Sequence, residues 1–179
     1  MSRYEFTVHL KNAFGNLYRK HHALIVVRDP NGNYLFGQKP KFYPPGIVRL
    51  IGGGVNENES PNLGATRELN EELKITVDQK DVLPLSDITF HAITPKNTLH
   101  LTTHLYFYQL HTADYIPGDD ITGISILTLD QIRELSEKFN RLPTDLWDPD
   151  HSFTWDDYGR VYGPIHLIAY EETKKLLDL

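Results

Sequence analysis

Apolar and polar positions change period several times along this chain, and each change marks an element. Residues 4–10 alternate closely enough for a strand. Ala23 to Arg28 is almost continuously apolar and reads as a strand. Asp29-Pro30-Asn31-Gly32-Asn33 is a run of turn formers, and Tyr34 to Gln38 resumes strand character. An Asn-Gly between two such runs predicts a β-hairpin. Lys39 to Pro45 reads as a loop, and Ile47 to Ile51 as a short strand that delivers the chain to Gly52-Gly53-Gly54. Ser60-Pro61 predicts a helix start, because serine caps free N–H groups and proline suits the first helical position. In that helix Leu63, Thr66, Leu69 and Leu73 are expected to face inward, with Asn70 breaking their arc. Further strands are predicted over about 85–93, 99–110 and 122–127, then a helix from Leu129 to Phe139. A last helix is expected to start at Gly163-Pro164 and run to the C-terminus. The succession is mixed α/β, compatible with a sheet flanked by helices.

Composition narrows the setting. The 179 residues, 40% hydrophobic and 23% charged, suit one domain spanning 1–179, with neither repeat nor linker. A net charge of -6, from 18 basic and 24 acidic residues, disfavours non-specific binding to nucleic acid or membranes. The absence of cysteine excludes disulfides, thiolate catalysis and cysteine-rich zinc sites. The start, MSRYEFTVHLKN, has no apolar signal core, and no apolar run approaches the roughly 18 residues of a membrane span. A soluble cytoplasmic protein is the expectation.

The chemistry concentrates between Gly53 and Ile75. Glu68, Glu71 and Glu72 stand at i, i+3 and i+4, so a helix puts their side chains on one face. Like charges so placed destabilise an isolated helix. A divalent cation reverses that penalty, and a hard ion such as Mg²⁺ takes carboxylate oxygens while reaching on to substrate phosphates. The segment therefore predicts a metal-dependent phosphate site. Arg67 cannot ligate a cation; its planar fork suits a carboxylate, so it is expected to orient Glu59 or Glu71. The glycines allow close backbone approach. Histidine gives no metal site by sequence: His100 and His104 share a strand face but lie about 13 Å apart, and His21 and His22 point to opposite faces.

The same segment resembles the signature of the Nudix hydrolases. Gly53, Glu59, Arg67, Glu68, Leu69, Glu71, Glu72 and Ile75 occupy its fixed places with both spacers at the right length. Six fixed polar or glycine positions at ~7% usage each would coincide about once in ten million starts, which makes the motif specific. Lys74 departs from it, standing where the family has glycine. If Lys74 takes the left-handed conformation that commonly ends a helix, it costs roughly 1–2 kcal/mol and leaves the carboxylates in place.

The resemblance implies an α/β/α sandwich with a mixed central sheet. It also implies cleavage of a nucleoside diphosphate linked to another moiety, by water attack on phosphorus with Mg²⁺ or Mn²⁺. By matching position Glu68, Glu71 and Glu72 are the expected metal ligands. A general base is expected either on the signature helix or in a downstream acidic loop, where Asp119 and Asp120 lie just before a strand. Gly53, Gly54, Arg49 and Lys39 are candidates for substrate contact, Lys41 with them; the plainer reading of each cation is a solvated charge. The segment Leu142 to Tyr162 carries Trp147, Phe153, Trp155, Tyr158 and Tyr162, either packing the last helix or stacking on a base. The competing function is an inactive nucleotide-binding or regulatory module. Prenyl diphosphate isomerisation relies on a cysteine absent here, and DNA repair or RNA decapping favours a basic groove that the composition lacks. Phe90-His91-Ala92-Ile93, where family subgroups carry proline or tyrosine, has neither, so ADP-ribose, sugar nucleotides, dinucleoside polyphosphates and oxidised nucleotides stay open. The oligomeric state is not written in the sequence.

Overall fold

The computed structural model describes residues 1–15 and 18–179. In chain order the elements are β1 (Ser2–His9), β2 (His21–Arg28), β3 (Tyr34–Gln38), β4 (Arg49–Gly54), α1 (Pro61–Leu73), β5 (Leu83–Ile93), β6 (Thr98–Gln109), β7 (Gly123–Leu127), α2 (Leu129–Asn140), β8 (Trp147–Asp148), β9 (Phe153–Thr154) and α3 (Trp155–Leu177). Strands β1 to β7 form one sheet in the order β1-β5-β6-β2-β4-β3-β7, and β8 pairs only with β9. The β1–β5 and β2–β6 pairings are parallel and the others antiparallel, so the sheet is mixed.

Strand β2 lies near the centre, and its apolar run follows from cover on both faces. Leu24 and Val26 face a core shared with α2 and α3, while Ala23, Ile25 and Val27 face a core shared with α1. Helices on both faces complete the α/β/α sandwich. The β2–β3 hairpin forms where Asn-Gly predicts it: Asp29 accepts the N–H groups of Asn31 and Asn33 at 2.8 Å each, and Gly32 takes φ 88°.

Helix α1 begins as expected, with Ser60 Oγ accepting the Leu63 N–H at 3.3 Å and Pro61 in first place. It ends on Lys74 at φ 53°, ψ 35°, the left-handed conformation usually given to glycine. The loop ahead of β7 satisfies two of its last carbonyls: Ile116 N–H reaches Leu73 O at 3.0 Å and Gly118 N–H reaches Glu72 O at 2.9 Å. The inward face differs from the sequence expectation. Thr66, Leu69 and Leu73 are buried as expected, but Ala65, Glu68 and Glu72 join them in the buried arc, whereas Leu63 is 48% exposed. The helix is rolled toward its glutamates because the glycines of β4 leave room for them. The same roll puts Asn70 on the outer margin, where its Oδ1 accepts the Val77 N–H at 3.2 Å.

The last helix starts at Trp155, eight residues before the predicted Gly163-Pro164 (163 - 155 = 8), and Pro164 lies inside it. Proline there deprives Arg160 of one hydrogen-bond donor, but its φ is helical, and the apolar stripe of Tyr158, Val161, Tyr162, Ile165 and Ile168 carries the helix through. Gly159 serves close packing instead of a break: a Cβ on it would lie 2.1 Å from Phe139 O of α2. Phe153, Trp155, Tyr158 and Tyr162 pack α3 onto the sheet, while Trp147 is exposed. No described helix is long and apolar enough to cross a membrane.

Candidate active site

The glycines at the end of β4 explain where the carboxylates go. Gly52 has φ 123°, and a Cβ there would meet Ala23 O of β2 at 2.1 Å, so no other residue fits without displacing the strands. Its N–H donates to Glu72 Oε2 at 2.8 Å. At Gly53 a Cβ would stand 2.8–3.0 Å from the Glu68 carboxyl group, so the missing side chain is the space that carboxyl occupies. Glu68 and Glu72 are accordingly buried, while Glu71 is about half exposed.

Arg67 ties the segment together more fully than its spacing predicts. Its Nε and Nη2 reach the two carboxylate oxygens of Glu59 at 3.0 and 3.1 Å, and Nη2 also donates to Gly54 O at 2.8 Å. Its Nη1 lies 2.8 Å from both Glu68 Oε1 and Glu71 Oε2. The bond from Arg67 holds Glu59 below the usual carboxylate range. Burial pushes Glu68 up against the pull of Arg67, and it pushes Glu72, which makes no ion pair among the described residues, to about 7.

A small cleft of about 150 Å³ opens beside these glutamates, lined by Arg19, His22, Lys39, Phe42, Arg49, Gly53, Gly54, Asp120, Tyr158 and Tyr162. Arg49 is the cation at its base. Its Nη2 donates to Gly52 O at 2.8 Å, its guanidinium carbon lies 5.8 Å from the Tyr162 ring centroid, and its buried Nε has no partner among the described residues. Tyr158 and Tyr162 stack with ring centroids 4.0 Å apart. His22 is buried against Tyr162, and burial together with Arg49 and Arg19 lowers its pKa to about 3. Asp120 pairs with Lys39, and the two also border an open depression on the side of Lys41 and Thr122.

Of the residues singled out by sequence, the fold gathers Glu59, Arg67, Glu68, Glu71 and Glu72 on one network and brings Gly53, Gly54, Arg49, Lys39 and Asp120 to the cleft beside it. Asp119 is exposed in a left-handed turn and outside the cleft lining, and Lys41 faces solvent. Arg49, for which a solvated charge was the plainer reading, is half-buried in the cleft. Arg19, His22, Phe42, Tyr158 and Tyr162 also line it. Only the two tyrosines carried a prior signal, as members of the aromatic segment.

Among the described residues no three His, Asp or Glu side chains converge on a common point suited to a cation, since Arg67 draws Glu68 and Glu71 toward itself. The donor chemistry nevertheless fits a hard divalent ion. It is all carboxylate oxygen, and Glu72 is buried beside Glu68 and Asp120 with no countercharge in contact among the described residues.

The NUDIX domain model matches residues 18–147 of this chain. A Caenorhabditis elegans Ap4A hydrolase binary complex superposes with TM-score 0.54 at 14% identity, covering 88% of this chain and 97% of that one. The Escherichia coli dihydroneopterin triphosphate pyrophosphohydrolase superposes with TM-score 0.53 at 18% identity, covering 65% and 86%. A MutT/nudix family protein from Enterococcus faecalis matches with TM-score 0.50 at 23% identity over 61% of this chain, which spans only 43% of that protein. With the signature residues assembled at the end of β4 and the family model spanning most of the sequence, the chain belongs to the Nudix family of pyrophosphohydrolases.

Proposed function

We propose that this chain hydrolyses the diphosphate bond of a nucleoside diphosphate linked to another moiety, with water attacking phosphorus and Mg²⁺ (Mn²⁺ substituting) as cofactor. The observation that carries this reading is the burial of Glu72 and Glu68 behind a cleft whose charged side chains are mostly cationic. Carboxylates without enough countercharge on one side, and cations on the other, suit a metal–diphosphate pair that neutralises both. The named activities of the Caenorhabditis elegans and Escherichia coli neighbours, on Ap4A and on a triphosphate, support a phosphoanhydride substrate.

Glu68, Glu71 and Glu72 would hold the cation. Bound there, it would neutralise the diphosphate and acidify a water molecule. Arg49 and Lys39 bind phosphate oxygens, Arg49 held in place by Gly52 O and the Tyr162 ring. Arg67 positions Glu68 and Glu71 through its shared Nη1. Asp120 sits at the cleft mouth, where it can accept the proton of the attacking water once substrate draws Lys39 away. Tyr158 and Tyr162 form the buried aromatic wall of the cleft and back Arg49.

A hydrolysis screen over ADP-ribose, sugar nucleotides, dinucleoside polyphosphates and oxidised nucleotides, with products followed by phosphorus NMR, tests the reading. Turnover that requires Mg²⁺ supports it. Binding of these compounds without turnover, in Mg²⁺ and in Mn²⁺, sinks it in favour of an inactive nucleotide-binding module.

A further inference from the structure

On the sheet face that carries α1, the helix packs on β4 and β2 and reaches only the adjoining margin of β6. The rest of that face, on β1, β5 and the first half of β6, is open and polar. Two histidine pairs stand there. His21 Nδ1 lies 3.1 Å from His104 Nε2, and His104 Nδ1 lies 2.7 Å from Asp87 Oδ1. His91 Nδ1 lies 3.0 Å from His100 Nδ1, and His91 Nε2 lies 2.5 Å from Glu5 Oε1. The construction is the same twice: two imidazoles from neighbouring strands face each other, and a carboxylate behind one ring fixes its tautomer. By accepting Nδ1–H of His104, Asp87 leaves Nε2 as a bare lone pair; Glu5 does the same for Nδ1 of His91.

We infer that this open sheet face binds borderline transition cations, of the Zn²⁺, Ni²⁺ or Cu²⁺ class, at two separate two-histidine chelates: His21 with His104, and His91 with His100. An ion about 2.0–2.1 Å from each of two imidazole nitrogens at a right to tetrahedral angle sets those nitrogens about 2.9–3.4 Å apart. Both observed separations, 3.1 and 3.0 Å, fall in that window. Imidazole selects these ions over Mg²⁺, so the face is chemically distinct from the all-oxygen glutamate cluster. His100 and His104 lie too far apart along β6 to share an ion, and each takes its partner from the next strand instead. Among the described residues no third His, Asp or Glu joins either pair, so water completes the coordination and the ions exchange. Asp87 and Glu5 are positioning residues.

Calorimetric titration of the untagged chain with Ni²⁺, in excess Mg²⁺ to hold the glutamate cluster, reads the stoichiometry directly. Two Ni²⁺ per chain are expected. His104→Gln removes one, His100→Gln the other, and the double variant both. Asp87→Asn keeps both imidazoles but weakens the first site about 10-fold or more. Electron paramagnetic resonance with Cu²⁺ gives a second readout, nitrogen hyperfine structure in the native chain that is lost in the double variant. A stoichiometry other than two, or Ni²⁺ binding retained by the double variant, overturns the proposal.

Discussion

Glu72 is where burial and charge oppose each other most directly. It is 3% exposed, its hydrogen-bond donor is one backbone N–H, and burial carries its pKa to about 7. Glu72→Gln keeps the shape and can still accept from Gly52, while removing the buried charge and a candidate metal ligand. The expected result is a loss of Mg²⁺-dependent hydrolysis of more than ~100-fold, given that even residues behind a metal ligand are worth 10–100-fold. Without metal, the melting temperature should hold or rise, since a charge leaves the interior. Steady-state rates and a thermal melt check the two halves, and near-native turnover would remove Glu72 from the reaction. Lys74 makes a separate prediction. Its φ of 53° is the left-handed helix end in which a non-glycine residue is strained, so Lys74→Gly should raise unfolding stability by roughly 1 kcal/mol in urea titration. These residues were legible because helical spacing alone fixes which side chains meet. That Arg67 would hold Glu68 as well as Glu59 and Glu71 was not, because helical spacing does not say that Glu68 is rolled inward beside Gly53.

Elements were legible wherever a local signal and a buried face agreed. The Asn-Gly hairpin, the Ser60-Pro61 start of α1 and the span of α2 follow from turn chemistry, capping and period. The failures share a cause: glycine has two uses. At Gly163-Pro164 it reads as punctuation, yet in α3 the neighbouring Gly159 is a site of close contact with α2. The inward roll of α1 was hidden for the same reason, since Gly52 and Gly53 admit carboxylates that a helical wheel assigns to solvent. A substitution separates the two uses. Gly159→Ala gains about 1 kcal/mol of helix propensity, but its Cβ would lie 2.1 Å from Phe139 O and force α2 and α3 apart. Overpacking of that kind costs roughly 1–3 kcal/mol. Net destabilisation in denaturant titration is the expected outcome, and a more stable variant would mean that the helices are not closely apposed there.

At the scale of the whole molecule, the cleft draws on β2 (His22), β4 (Arg49, Gly53), the loop before β7 (Asp120) and α3 (Tyr158, Tyr162). No local pattern unites segments so distant in the chain; only the sheet order, which sets β2 beside β4, and the seating of α3 do so. The same packing leaves two buried histidines with consequences for pH. His166 in α3 is wholly buried between Phe36 and Phe139, its Nδ1–H donates to Tyr162 O at 2.6 Å, and its Nε2 has no partner among the described residues. Burial lowers its pKa from 6.5 to about 4, and that of His22 to about 3. A folded pKa below the unfolded one means that the unfolded chain binds the proton first. The stability these neutral histidines contribute is therefore complete above pH 6.5 and is lost as the pH falls toward 4 for His166 and 3 for His22. Each carries a slope of up to about 1.4 kcal/mol per pH unit inside its window. In His166→Phe one of the two slopes disappears, while the ring still packs between Phe36 and Phe139. Urea midpoints followed from pH 7 to 4 should thus decline less steeply in the variant, by up to about one proton's worth of slope. Equal slopes in the two chains would show that His166 takes up its proton as readily in the fold as in the unfolded chain, against the burial that lowers its pKa.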